Sequence, residues 1–182
     1  MSKVVAVFGS ARVEPVHAVY QQSYAIGEAL ARAGYITMTG GCGGVMEATS
    51  KGACEAGGIV YGITVAQLAS IGESETNQWV SDEVQCATLP ERVQYLAERA
   101  DAYLVMPGGL GTVQELVEVW QAMRLGDLPT KPLLIYGDFW KPLVTTLLQA
   151  GYINQREIKL VTYVETPQQA LDALEDQFNQ GA

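Results

Sequence analysis

The chain has 182 residues, 48% hydrophobic and 17% charged, with 11 basic against 20 acidic side chains and a formal net charge of −9. That length accommodates one domain with a sizeable core, and the balance of apolar to charged residues is not that of a disordered chain. The acidity argues against a nucleic-acid partner, which needs clustered Lys and Arg, and no run of about 18 apolar residues is present to span a membrane.

Taken in chain order, Met1-Ser2-Lys3 runs directly into an apolar segment without the layout of a signal peptide. Short apolar runs predict seven strands: Val4–Phe8, Tyr35–Thr39, Ile59–Ile63, Val84–Ala87, Tyr103–Met106, Leu133–Tyr136 and Leu160–Tyr163. Most are continuous rather than alternating, as expected of strands covered on both faces. Helical stripes lie between them, one through Val93, Leu96, Ala97 and Ala100 and another through Leu116, Val119, Trp120 and Met123. Trp140 is expected to begin a further helix, and Thr166-Pro167 to cap and open a last one through Ala170, Leu171, Leu174 and Phe178. This alternation predicts an α/β, doubly wound, Rossmann-like domain over residues 1–182, with a mainly parallel sheet and helices on both faces. The polar stretch Gln67–Asp82, carrying Glu73, Glu75 and Trp79, breaks the rhythm and reads either as a solvated connection or as a substrate-covering loop.

The odd set Cys42, Cys54 and Cys86 has no C-x-x-C spacing, and the lone His17 cannot build a metal site with such partners. We therefore expect reduced thiols, no metal and a cytoplasmic location.

Three strand-to-helix turns are rich in glycine: Gly9-Ser10-Ala11-Arg12, Gly40-Gly41-Cys42-Gly43-Gly44 and Pro107-Gly108-Gly109-Leu110-Gly111-Thr112. Such turns either pack tightly or let backbone N–H groups and a helix N-terminus receive a phosphate. Neither G-x-G-x-x-G nor G-K-[ST] can be read, which disfavours an ordinary NAD dehydrogenase or P-loop NTPase. Thr112-x-x-Glu115 and Thr88-x-x-Glu91 both have the form of a capping box. Arg92, in a first helical turn, is poorly placed for the helix dipole, so a phosphate or carboxylate is its expected partner. Met46 and Met123 read as core or interface residues.

Pro107 through Glu115 resembles the PGGxGTxxE signature of the LOG family, and Thr39 through Met46 is similar to that family's GGGxxGLM motif, with Thr39 for the first glycine. Glu91-Arg92-Val93 is similar to its E-R-K segment, with Val93 for lysine. Pro90 replaces a histidine, Gln114 the first of two glutamates, and Glu47 a glycine of the plant-type proteins. The resemblance implies a cytokinin riboside 5′-monophosphate phosphoribohydrolase that needs no cofactor. In it, Glu115 stabilises an oxocarbenium-like state or activates water. It further implies that Arg92 anchors phosphate or ribose oxygens and orients Glu115. Gly108, Gly109, Gly111 and Thr112 would cradle the phosphate, with Gly9, Ser10, Gly40, Gly41 and Gly44 bordering the nucleotide. A small phosphorylated ligand and a homodimer or higher homo-oligomer, paired through the helix Thr112–Arg124, follow from the same likeness. A related branch carries molybdenum cofactor (Moco), so a non-catalytic carrier of molybdopterin is the alternative. A decarboxylase using pyridoxal phosphate lacks support, because none of Lys3, Lys51, Lys131, Lys141 and Lys159 lies in a glycine loop.

Overall fold

A computed structural model describes residues 2–66 and 76–180. The elements follow one another as β1 (Val4–Phe8), α1 (Ala18–Arg32), β2 (Ile36–Thr39), α2 (Val45–Glu55), β3 (Val60–Val65), β4 (Asp82–Cys86), α3 (Leu89–Arg99), β5 (Ala102–Val105), α4 (Leu110–Leu125), β6 (Leu133–Tyr136), α5 (Lys141–Gln149), α6 (Gln155–Ile158), β7 (Val161–Val164) and α7 (Pro167–Gln180). All seven expected strands form, and they make one sheet in the order β4-β3-β2-β1-β5-β6-β7. Every pairing in it is parallel.

The continuous apolar strands have a two-faced destination. Ala6 and Phe8 of β1, Tyr103 and Val105 of β5, and Leu133 and Ile135 of β6 face one core layer, which they share with Leu96 of α3, Leu116 and Trp120 of α4 and Val144 of α5. Val5, Val7, Ala102, Leu104 and Leu134 face the other, against Ile26 and Leu30 of α1 and Ala170 and Leu174 of α7. Side chains alternate across a strand, so an uninterrupted apolar run supplies both layers at once.

The helix starts follow local chemistry. The Thr166 hydroxyl accepts the Gln169 N–H (3.1 Å) at the head of α7, and Trp140 caps α5, as expected. Thr88 caps α3 by accepting the Glu91 N–H (3.3 Å), while the Glu91 carboxylate takes the Ala87 N–H (2.9 Å) rather than that of Thr88. The Thr112–Glu115 capping box does not form. Helix α4 already starts at Leu110 with Gly109 as its cap, which places Thr112 inside the first turn and turns Glu115 inward.

Of the polar stretch 67–82, residues 67–75 lie outside the described residues, and the expected loop falls largely on them. Its end is anchored. The Asn77 N–H and side-chain amide both donate to the Gly41 carbonyl (2.8 and 3.0 Å), and the amide also donates to that of Cys42 (3.0 Å). Asp82 already belongs to β4. No helix among the described residues is long and apolar enough to cross a membrane.

The sheet order reverses direction at β1. From there the chain proceeds to β2 on one side and later to β5 on the other. A crevice therefore opens beyond the carboxyl ends of β1 and β5, the place where open α/β sheets receive ligands.

Candidate functional site

Three loops leave the carboxyl ends of β1, β2 and β5 and are joined to each other through main-chain atoms. The Ser10 N–H donates to the Pro107 carbonyl (3.1 Å), and the Val45 N–H donates to the Ser10 carbonyl (2.8 Å). Their approach is too close for side chains at two positions. A Cβ on Gly44, which has φ of +64°, would overlap the Ser10 carbonyl oxygen, and one on Gly108 would overlap the Thr112 hydroxyl and come within 2.9 Å of the Ser10 nitrogen.

These loops enclose a cavity of about 590 Å³. Of the residues singled out from sequence, Gly9, Ser10, Arg92, Gly109, Gly111, Thr112 and Glu115 line it. Gly40, Gly41, Gly44 and Gly108 do not. They stand behind the wall, where they let the loops and Arg92 approach one another. The cavity is also lined by Ala11, Arg12, Cys42, Met46, Leu89, Leu110 and Gln114. Met46 is thus a wall residue as well as a buried one, because α2 begins at Val45 and its first turn faces the cavity. Met123, by contrast, lies in the core. Thr39, where the family motif has glycine, accepts the Gly41 N–H through its hydroxyl (3.1 Å) and so shapes the β2 loop.

Arg92 and Glu115 arrive from different helices, α3 and α4, and meet in the cavity wall. Both are almost fully buried, at 5% and 7% exposure. The Arg92 Nε donates to the Ile63 carbonyl at the end of β3 (2.6 Å), Nη1 lies 3.4 Å from Glu115 Oε1, and Nη2 lies 3.9 Å from Met46 Sδ. A Cβ at Gly40 would collide with the guanidinium, so this glycine makes room for Arg92. Burial pushes the Glu115 carboxyl up to about 7, with the Arg92 charge opposing the rise. A carboxyl poised there exchanges a proton near neutral pH and suits general acid–base work.

Gly109 caps α4 without a side-chain hydrogen bond. Because Gly109 to Thr112 line the cavity, the open N–H groups of the first turn and the positive end of a 16-residue helix face the same space as the Arg92–Glu115 pair.

The family model described as "Possible lysine decarboxylase" matches residues 46–174. The chain belongs to this family, the LOG family. The cytokinin riboside 5′-monophosphate phosphoribohydrolase of Mycobacterium tuberculosis is 28% identical over 177 residues, spanning 93% of this chain and 91% of that protein. A crystal structure from a structural genomics programme superposes with a TM-score of 0.75 at 26% identity and covers 97% of this chain and 99% of its own. The molybdenum cofactor carrier protein of Chlamydomonas reinhardtii also superposes at 0.75, with 21% identity and coverage of 98% and 99%, and shares the fold. The decarboxylase in the family's description finds no Schiff-base side chain in this LOG-family cavity, since no lysine lines it.

Proposed function

We propose that this protein hydrolyses the N-glycosidic bond of a nucleoside 5′-monophosphate, with adenosine and cytokinin monophosphates as the substrate class. The observation that carries the reading is the buried Arg92–Glu115 pair, which sets a carboxyl titrating at about 7 beside the open N-terminus of α4. The relative from Mycobacterium tuberculosis, named for this reaction, supports it.

In the reaction a water oxygen forms the new bond to C1′ while the C1′–N bond breaks. The bonding pair leaves with the base, which ends protonated, and ribose 5-phosphate is the other product. Glu115, ionised, accepts the proton of the attacking water and faces the positive charge that develops on the sugar. Arg92 holds that carboxylate in place from its own anchor on Ile63. The first-turn N–H groups of α4 receive the phosphate. The exposed apolar residues Leu110, Val117 and Leu125 along α4 support a homodimer paired on this helix.

The test is release of free base from AMP and from isopentenyladenosine 5′-monophosphate, with Glu115→Gln alongside. Wild-type turnover should follow a limb that rises with pH through about 7, as the ionised form of Glu115 requires. The Gln variant should lose about 10²- to 10⁴-fold in kcat. Failure of the wild type to release base from either nucleotide refutes the hydrolase. Binding without turnover would instead match a carrier of a phosphorylated pterin, the kind of protein that the Chlamydomonas reinhardtii neighbour is named as.

A further inference from the structure

The ionisable side chains on the cavity wall do not balance. The whole chain has a net charge of −9, yet the cavity is lined by Arg12, Arg92 and a single acidic residue, Glu115. A positive hollow in an acidic protein selects an anionic ligand. Arg92 is not the group that meets it. Its Nε is taken up by the Ile63 carbonyl, its Nη1 faces Glu115, its Nη2 lies beside Met46, and only 5% of the residue is exposed. Its charge is spent on holding Glu115.

Arg12 is placed differently. It is exposed, and it lines both the main cavity and an adjoining depression of about 570 Å³ formed with Ser10, Val13, Glu14, Val16 and His17. The turn that carries it is fixed at both ends of its first residues. The Arg12 N–H donates to the Ser10 hydroxyl (3.1 Å), and the Ser10 N–H donates to Pro107, next to the loop that opens α4. The β1 turn therefore brings a guanidinium to the same space as the first-turn N–H groups of α4.

We infer that Arg12, rather than Arg92, is the side chain that binds the ligand's phosphate, working with the N-terminus of α4 at the junction of the two cavities. The inference rests on the reading of a phosphorylated ligand given above, and it divides the labour of the two arginines. Arg92 positions the carboxyl, and Arg12 takes the dianion, where a guanidinium can supply two parallel N–H donors.

The experiment compares wild type, Arg12→Gln and Arg12→Lys by calorimetric titration with ribose 5-phosphate and with adenosine, and by steady-state kinetics on AMP. Arg12→Gln should weaken ribose 5-phosphate binding by about 10- to 100-fold, as loss of a charge-assisted contact does. Adenosine affinity should stay within about twofold, because adenosine offers no phosphate to Arg12. Arg12→Lys should recover part of the loss, and on AMP the damage should fall on KM more than on kcat. Equal binding of ribose 5-phosphate by wild type and Arg12→Gln, or equal losses for ribose 5-phosphate and adenosine, would overturn the assignment. If the wild type turns over no AMP while Arg12→Gln still loses ribose 5-phosphate, the hydrolase reading falls and the role of Arg12 stands.

Discussion

Replacing Glu115 by Gln removes a buried carboxyl whose ionisation the fold opposes, and the effect should be visible in stability as well as in rate. The carboxyl rises from 4.5 to about 7 on folding, a difference worth about 3 kcal/mol at roughly 1.4 kcal/mol per unit. Because the folded-state value is raised, the stabilising contribution of the protonated form is fully present below the unfolded-state value. It is lost as pH rises through about 7. Gln is close in shape and neutral throughout, so every other titrating group is common to the two proteins and cancels in their difference. Urea unfolding of wild type and Glu115→Gln at intervals from about pH 4 to 8 should give curves that diverge between about 5 and 7, by up to about 1.4 kcal/mol per pH unit. The wild type should lose about 3 kcal/mol relative to the variant across that window. Parallel curves would show that Arg92 cancels the cost of burial and that Glu115 titrates as an ordinary carboxyl, which would remove the basis for a general base working at neutral pH.

Two further outcomes follow from the geometry. Gly40→Ala places a methyl group where the Arg92 guanidinium lies; it should cost about 2 kcal/mol of stability and about 10- to 100-fold in kcat/KM through the displaced Arg92–Glu115 pair. An unfolding curve and a rate matching the wild type would show that Arg92 can be relocated freely. Val117→Asp, on the exposed apolar stripe of α4, should convert a dimer into a monomer in light scattering behind size exclusion, and an unchanged mass at equal concentration would move the pairing face elsewhere.

The strands were legible because burial on both faces leaves them continuously apolar. The clearest boundary error is instructive. β4 starts at Asp82, two residues before the apolar signal of Val84, because it is an edge strand whose Asp82, Glu83 and Gln85 are exposed. The candidate pair Arg92 and Glu115 was legible from motif resemblance and from an arginine oddly placed at a helix start. Its geometry was not legible, since Thr-x-x-Glu describes a capping box and an inward-facing glutamate equally well. What decides between them is where the helix begins, and Gly109 caps α4 three residues before Thr112. Arg12, Cys42, Met46, Leu89 and Gln114 were not singled out as wall residues, because wall membership depends on the approach of loops far apart in the chain. The signal that existed for Arg12 was an arginine in a Gly-Ser-Ala-Arg turn directly after the first strand of an acidic chain.

The bonds from Ser10 to Pro107 and from Val45 to Ser10 run between main-chain atoms, so point substitution of the side chains on the cavity wall leaves their donors and acceptors in place. The rim of the cavity is thereby inherited separately from its lining. Exchanges at positions such as Arg12, Leu89 or Gln114 can change which ligand is accepted while the loops keep their mutual seating. A scaffold with this separation can diverge in cargo and chemistry by a few wall substitutions, and a shared fold among such proteins is correspondingly weak evidence for a shared ligand.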